Sequence, residues 1–414
     1  SSDENLARWL DLLRRLLLPA LSHTKANAAV VNAIWDLLRY FPTTTRYSLY
    51  AEWFEGQVSR MPAMRTAFAR ATAATRGTMK RVSLTNLSEM AKQLAKTSYS
   101  SPGIVFRVAF EQLESYPNLI EAFVECAKYF TDLSYDVLVW SLMNSLGKER
   151  SRTQADHALT TSKWLQALSR FTGKVFRRYS LLDATPVLYY VNNQLLRGNS
   201  TDLIILKELI SSMGGIVDAT DFTDYQILSM AGGRFLRKHT LLRAGDKRFE
   251  NIKSSTRLIN ALTDSNLAAR LLINLTQYRQ AAVFNVPEDE AHIKFLSSII
   301  DDSHQTIIKF LDFLWSNLDQ SAYENTVPSI AELMQSYGID VSLAFLLGRA
   351  SLSNRVFPWA TKDTAALKDA QTPKPDNDKD GDVSMSDKPA TEEAAEEVVA
   401  ADGQVRHKYT NTIA

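Results

Sequence analysis

The side chains that enzymes use for catalysis all occur in this chain, but none stands at the spacing its chemistry requires. The histidines (His23, His157, His239, His292, His304 and His407) never form an i, i+4 pair, so no helix face offers the two imidazoles of a zinc hydrolase. No two glycines have the GxGxxG spacing of a dinucleotide site. Gly147-Lys148 and Gly173-Lys174 are followed by Glu149 and Val175, where a phosphate-cradling loop needs Ser or Thr for magnesium and a glycine five residues earlier. There is no GxSxG elbow for a serine nucleophile. Cys126 lies on an apolar stripe beside Phe123 and Ala127, the setting of a small core residue and not of a thiolate. Asp301-Asp302 and Glu288-Asp289-Glu290 have the right type for acid/base or magnesium chemistry. They fall along or at the start of one long helical stripe, where solvation and the helix dipole account for them. No catalytic, metal or cofactor site is expected.

The chemistry that remains is electrostatic. From Arg60 to Arg81 there are six bases and no acid (Arg60, Arg65, Arg70, Arg76, Lys80 and Arg81). Their spacing spreads them around a helix, which reads as a solvated helix. The second stretch holds Arg234, Arg237, Lys238, Arg243, Lys247, Arg248, Lys253 and Arg257 against Asp246 and Glu250, a net +6 in 24 residues. Gly232-Gly233 and Gly245 interrupt its helical pattern, so it reads as a flexible basic loop. Such a loop meets phosphates or an acidic protein surface, or simply stands in water. No aromatic stacking platform is read among these bases, which weakens direct RNA binding as the leading function.

The elements that must carry these residues are helices. Apolar residues recur at helical spacing in Leu6, Trp9, Leu10, Leu13, Leu16 and Leu17, with Asp3 as a cap and Pro19 as a stop. Val30 to Phe41, Pro102 to Leu113, Leu119 to Phe130, Val137 to Leu146, Trp164 to Tyr179 and Leu203 to Met213 repeat the pattern, and Gly214-Gly215 offers a positive-φ cap. The longest stripe runs from Ile293 to Leu318, and two-residue alternation is nearly absent. Glycine (15) and proline (12) together make about 6.5% of 414 residues, against a usual share of roughly 12%, which argues against sandwiches and barrels. Helices recurring about every twenty residues make units of roughly forty, the period of HEAT and armadillo arrays, but no sharp repeat accompanies it. The expected fold is all-α, an irregular stack of antiparallel helical hairpins.

Hydrophobic residues at 45% are enough for a sizeable core. A single cysteine excludes an internal disulfide and fits a reducing compartment. No apolar run reaches the roughly eighteen residues of a membrane span, so no membrane partner is expected. The start, Ser1-Ser2-Asp3-Glu4-Asn5, shows no initiator methionine and no signal peptide, and reads as a piece of a longer chain. The net charge of +1 is uneven: residues 361–402 carry twelve acids and five lysines, leaving +6 on the first 360 residues. That acidic segment lacks the apolar residues needed to offset the entropy of ordering and is expected to be disordered.

Six ordered blocks then carry a resemblance. They are Phe41-Pro42 with Arg46-Tyr47, Leu49-Tyr50 and Trp53; Phe130-Thr131-Asp132-Leu133-Ser134-Tyr135-Asp136-Val137-Leu138; and Ser162, Trp164, Leu165 and Leu168 with Gly173, Val175-Phe176-Arg177 and Tyr179. Asp202-Leu203-Ile204-Ile205-Leu206-Lys207-Glu208, Ser254-Ser255-Thr256-Arg257-Leu258 and Val327-Pro328-Ser329-Ile330 complete them. In this order, over about 290 residues, they resemble subunit 2 of the THO complex, the large scaffold family of THO/TREX, here in a fungal form. The resemblance implies a nuclear, non-catalytic scaffold that binds the other THO subunits. It also implies docking of a DEAD-box RNA helicase that packages nascent mRNA for export. Part of this family resembles the middle domain of the translation initiation scaffold, which implies N-terminal helices at 1–86, a helicase-docking repeat at 87–265, a continuing repeat at 266–360 and the acidic segment at 361–414. Two stretches depart from the family pattern: the more basic Arg234–Arg248 and the acidic segment after Trp359.

Overall fold

The computed structural model describes residues 2–83, 85–154, 160–218, 221–285 and 292–356, and every regular element among them is a helix. Their only β-pairing is an isolated bridge between Thr153 and Thr161. The acidic segment at 361–414, and Glu288-Asp289-Glu290, lie outside the described residues.

Helix α1 (Ser2–Leu12) runs through a π-helical turn (Leu13–Leu17) into α2 (Leu18–Leu21). Pro19 therefore does not stop the helix as its sequence suggests. It lies inside the continuous helix, just after the π turn, whose wider winding accommodates the ring and the missing N–H. Then follow α3 (Ala28–Leu38), α4 (Thr43–Glu55), α5 (Pro62–Met79), α6 (Leu87–Ser100) and α7 (Pro102–Ser115). Next come α8 (Ile120–Cys126), α9 (Asp132–Leu146), α10 (Lys163–Arg178), α11 (Thr185–Leu196) and α12 (Leu203–Leu209). A second π turn (Ile210–Gly214) extends α12 and ends at Gly215, φ +74°, as the glycine pair predicts. The chain continues with α13 (Asp224–Met230), α14 (Arg234–Arg243), α15 (Ile252–Asp264) and α16 (Leu267–Asn285). It ends with α17 (Ile293–Asn317), α18 (Gln320–Thr326), α19 (Ile330–Gln335) and α20 (Val341–Val356).

Helices two apart in sequence pack together: α5 with α7, α6 with α8, α7 with α9, and α10 with α12. This is the layering of stacked hairpins, and one continuous apolar core from Leu13 to Leu347 runs through it. Trp53, Tyr50, Phe106, Phe110, Phe123, Phe171, Phe310 and Phe313 are fully buried in that core. Helices α10 and α12 approach closely at Gly173, where a Cβ would lie 2.7 Å from the Glu208 carbonyl oxygen. Only glycine lets α10 and α12 meet at that distance.

Polar residues of the sequence blocks form joints between these layers. Arg46 on α4 donates to both oxygens of Asp136 on α9, at 2.8 and 3.0 Å, and to the Phe41 carbonyl at 2.8 Å. The Tyr50 hydroxyl donates to Asp136 at 2.7 Å, and burial holds its phenol well above the usual range, so it remains a donor. Asp202, 1% exposed, accepts from Arg152 at 2.9 Å and from the Tyr190 hydroxyl at 2.8 Å. Carboxylates this far from water persist only when so paired.

Candidate partner-binding surface

The basic stretch from Arg234 to Arg257 is not a flexible loop. Its glycines punctuate a helix at its ends: Gly233 is the N-cap of α14, and Gly245, φ +81°, closes it. The Gly245 amide donates to the Leu242 carbonyl at 3.1 Å and the Asp246 amide to the Leu241 carbonyl at 3.0 Å, a Schellman closure. Helices α13 and α14 pack on each other as a hairpin. Thr223 starts it with a capping box, its hydroxyl accepting from the Gln226 amide while the Gln226 side chain accepts from the Thr223 amide.

The root of the hairpin is fastened at the turn after α14. The Lys247 amide donates to the Gly215 carbonyl at 2.8 Å, and a Cβ on Gly215 would lie 2.5 Å from the Lys247 carbonyl carbon. Arg248 donates to the buried Asp246 at 2.9 and 2.8 Å, and to Asp312 on α17 at 3.1 and 2.8 Å. These bonds raise the Arg248 pKa against the opposing effect of burial, so it stays a cation. Arg257 on α15 is also fixed inward. It donates to the carbonyls of Phe176, Arg177 and Tyr179 at the C-terminal end of α10, at 2.8, 3.1 and 2.9 Å.

The other candidates face water. Arg237, Lys238 and Arg243 on α14, Lys247 in the turn and Lys253 on α15 are exposed, and none has a carboxylate partner among the described residues. Arg234 opens α14, and nothing further is described for its side chain. The eight sequence candidates thus divide into two structural arginines, five exposed cations and Arg234. The sequence reading missed the apolar half of this surface. Tyr225 (84% exposed), Leu228 (72%), Leu236, Leu242, Phe249 and Ile252 stand open to solvent around the same cations. Lys238 lies over the Phe249 ring, 5.5 Å from its centre, so aromatic faces do accompany these bases. The visible signal was the run of large apolar residues in α13, which has core composition without a core to join.

The remaining chemical candidates are quiet. Cys126 is fully buried and its thiol is pushed up to about 12 by that burial, so it is no thiolate. Asp302 pairs with Lys207. No group of His, Cys, Asp and Glu among the described residues is placed to hold a metal ion. His304 Nδ1 is buried without a hydrogen-bond partner among the described residues, and burial lowers its pKa. No described helix is long and apolar enough to cross a membrane.

Comparison with known proteins agrees with the block pattern. Residues 1–92 match the family model described as THO complex subunit 2 N-terminus, and residues 94–169 match that of a transcription- and export-related complex subunit. THO complex subunit 2 of Homo sapiens is 34% identical over 355 residues, covering 85% of this chain and 22% of that protein. The Arabidopsis thaliana protein of the same name is 32% identical over 346 residues, covering 82% and 19%. That of Saccharomyces cerevisiae is 26% identical over 349 residues, covering 84% and 22%. The chain spans about a fifth of the length of these relatives.

Proposed function

The chain belongs to the THO complex subunit 2 family, and on that premise we propose that it is a non-catalytic helical scaffold of a nuclear THO/TREX assembly. In this reading it binds other THO subunits and docks a DEAD-box RNA helicase during packaging and export of nascent mRNA. Residues 87–265 form the docking repeat, between N-terminal helices at 1–86 and a continuing repeat at 266–360. One observation carries the docking reading. The α13–α14 hairpin and the start of α15 present Arg237, Lys238, Arg243, Lys247 and Lys253 without internal anions, among exposed apolar side chains, on a root fixed by Arg248. An apolar patch rimmed with one sign of charge suits a protein partner with an acidic rim.

The test is the ATPase rate of the cognate helicase with RNA, measured with and without this chain. A raised rate, from a chain with no ATPase activity of its own, is the expected result. An unchanged rate under conditions where binding is demonstrated contradicts docking as regulation. A second reading, direct RNA binding, is favoured by the exposed Phe249 ring beneath Lys238 and by the exposed Tyr225 on the same hairpin. Binding of single-stranded RNA at near-physiological salt, with a shallow salt dependence, would favour it over simple electrostatics.

A further inference from the structure

A second cationic surface lies far from the hairpin in sequence and includes Arg70 of the stretch first read as a solvated helix. Between the turn after α2, helix α5 and the end of α6 runs an open groove of about 590 Å³. Lys25, Arg70 and Lys96 line it, His23 stands at its side, and no aspartate or glutamate lines it. None of the three cations has a hydrogen bond or ion pair among the described residues. Cations that share a groove without an anion repel one another, and a bound anion removes that repulsion.

Two further features point the groove at a ligand. Ser22, 8% exposed, lines it, and its Oγ accepts from Trp53 Nε1 at 3.0 Å. That bond fixes the oxygen, while no described residue accepts the proton of Ser22, so a buried donor stands ready. Ala26, also lining the groove, sits at φ +41°. A residue with a β-carbon pays strain there, and such strain gathers at ligand clamps. Among the described residues the other non-glycine case is Asn266, a residue type that tolerates this region.

The chemistry of the groove selects among anions. Its floor on α5 is alanine (Ala63, Ala67, Ala71 and Ala74), with no aromatic ring for a nucleobase to stack on. Further along α5 the charge is met by an acid, Arg76 facing Glu111 at 3.6 Å. Three cations in one place match a compact dianion, and a phosphate monoester carries about −1.5 to −2 with three strong acceptor oxygens. Thr66 and Thr97 in the same groove donate their protons to the helix carbonyls of Pro62 and Gln93. Their oxygens are left to accept, which suits the N–H groups of a peptide and not a sugar-phosphate chain.

We propose that this groove binds a phosphorylated serine or threonine side chain of a partner polypeptide. The site is independent of the hairpin and of the helicase reading. The experiment measures fluorescence anisotropy with the full chain and a labelled short-peptide library bearing a fixed phosphoserine between degenerate flanks. The unphosphorylated library and an oligouridine of similar length serve as the other probes. The phosphorylated library should bind about tenfold more tightly than its unphosphorylated counterpart, as expected for one added charge-assisted site. The exposed-site variant Arg70→Glu/Lys96→Glu should erase that preference with an unchanged circular dichroism spectrum. Ser22→Ala should reduce it, and Ala26→Gly, which relieves the strain, should retain it. Equal binding of the two libraries, or a preference unaffected by Arg70→Glu/Lys96→Glu, overturns the proposal. So does oligouridine binding more tightly than the phosphopeptides and disappearing in the same variant, which would make the groove an RNA site.

Discussion

Arginine plays opposite parts at the α4–α9 joint and on the α13–α14 hairpin. At the joint, Arg46 is fully engaged by Asp136 and the Phe41 carbonyl, and its guanidinium lies over the Trp35 ring. On the hairpin, Arg237 and Arg243 meet no carboxylate among the described residues. The first arrangement ties together helices 90 positions apart in the chain. The second leaves charge and apolar surface for something outside it. The residue type is the same in both places, and the acceptors brought by neighbouring helices decide its role. The family blocks include the first kind of residue, Arg46 and Asp136 among them, whereas the proposed partner binding draws on the second.

Breaking a joint or the core should have the largest effects. Asp136→Ala leaves the partly buried Arg46 without its carboxylate and Tyr50 without its acceptor, and should cost about 3 kcal/mol in urea unfolding. A loss within about 0.5 kcal/mol would mean that the joint is ornamental. Next, Leu206→Ala, at a position 1% exposed, should cost about 2–5 kcal/mol by the same measurement. At the root of the hairpin, Arg248→Ala should accelerate amide hydrogen exchange through α13 and α14 well beyond any change in α7 or α9. Uniform acceleration would show that the root is not a local fastening.

A smaller effect should come from His304. Burial, then Arg279, lower its pKa from the ordinary 6.5, with Asp301 opposing. Below about pH 6.5 the unfolded chain therefore takes up a proton that the folded chain resists, and stability falls as pH drops through that region. His304→Gln should flatten the decline between pH 7.5 and 5.5, and an unchanged slope would remove His304 as its source. The smallest effect concerns Cys126. Its thiol should resist maleimide labelling in the native chain and react only after unfolding, whereas prompt native labelling would contradict its burial.

Much of the stack was legible because helices write their period into the chain. Pro102, the Gly214-Gly215 pair and the stripe from Ile293 each mark an element that forms where they predict it. Pro19 misled because a π turn can absorb a proline, and no local residue announces that turn. The α14 region misled because glycine reads the same whether it breaks a helix or caps it. Which cations are paired was hidden for a different reason: Arg248 finds Asp312 across 64 positions, and Arg257 finds the Tyr179 carbonyl across 78. Such partners are set by packing, not by neighbours in sequence. The stripe in α1 and the π turn after it was legible as a helix but not as a surface, for Leu6, Trp9 and Leu16 remain exposed.

The central claim is that the unpaired cations of the hairpin dock the helicase while the paired ones hold the fold. It is tested most directly by helicase affinity for the wild-type chain and for the variant Arg237→Glu/Lys238→Glu/Arg243→Glu/Lys247→Glu, at low and near-physiological salt. Exposed charges contribute little to folding, so circular dichroism and the unfolding midpoint should be unchanged. The account predicts a loss of about tenfold or more in affinity, largest at low salt where screening is weakest. Equal affinity of the folded variant and the wild type at both salt concentrations would contradict it.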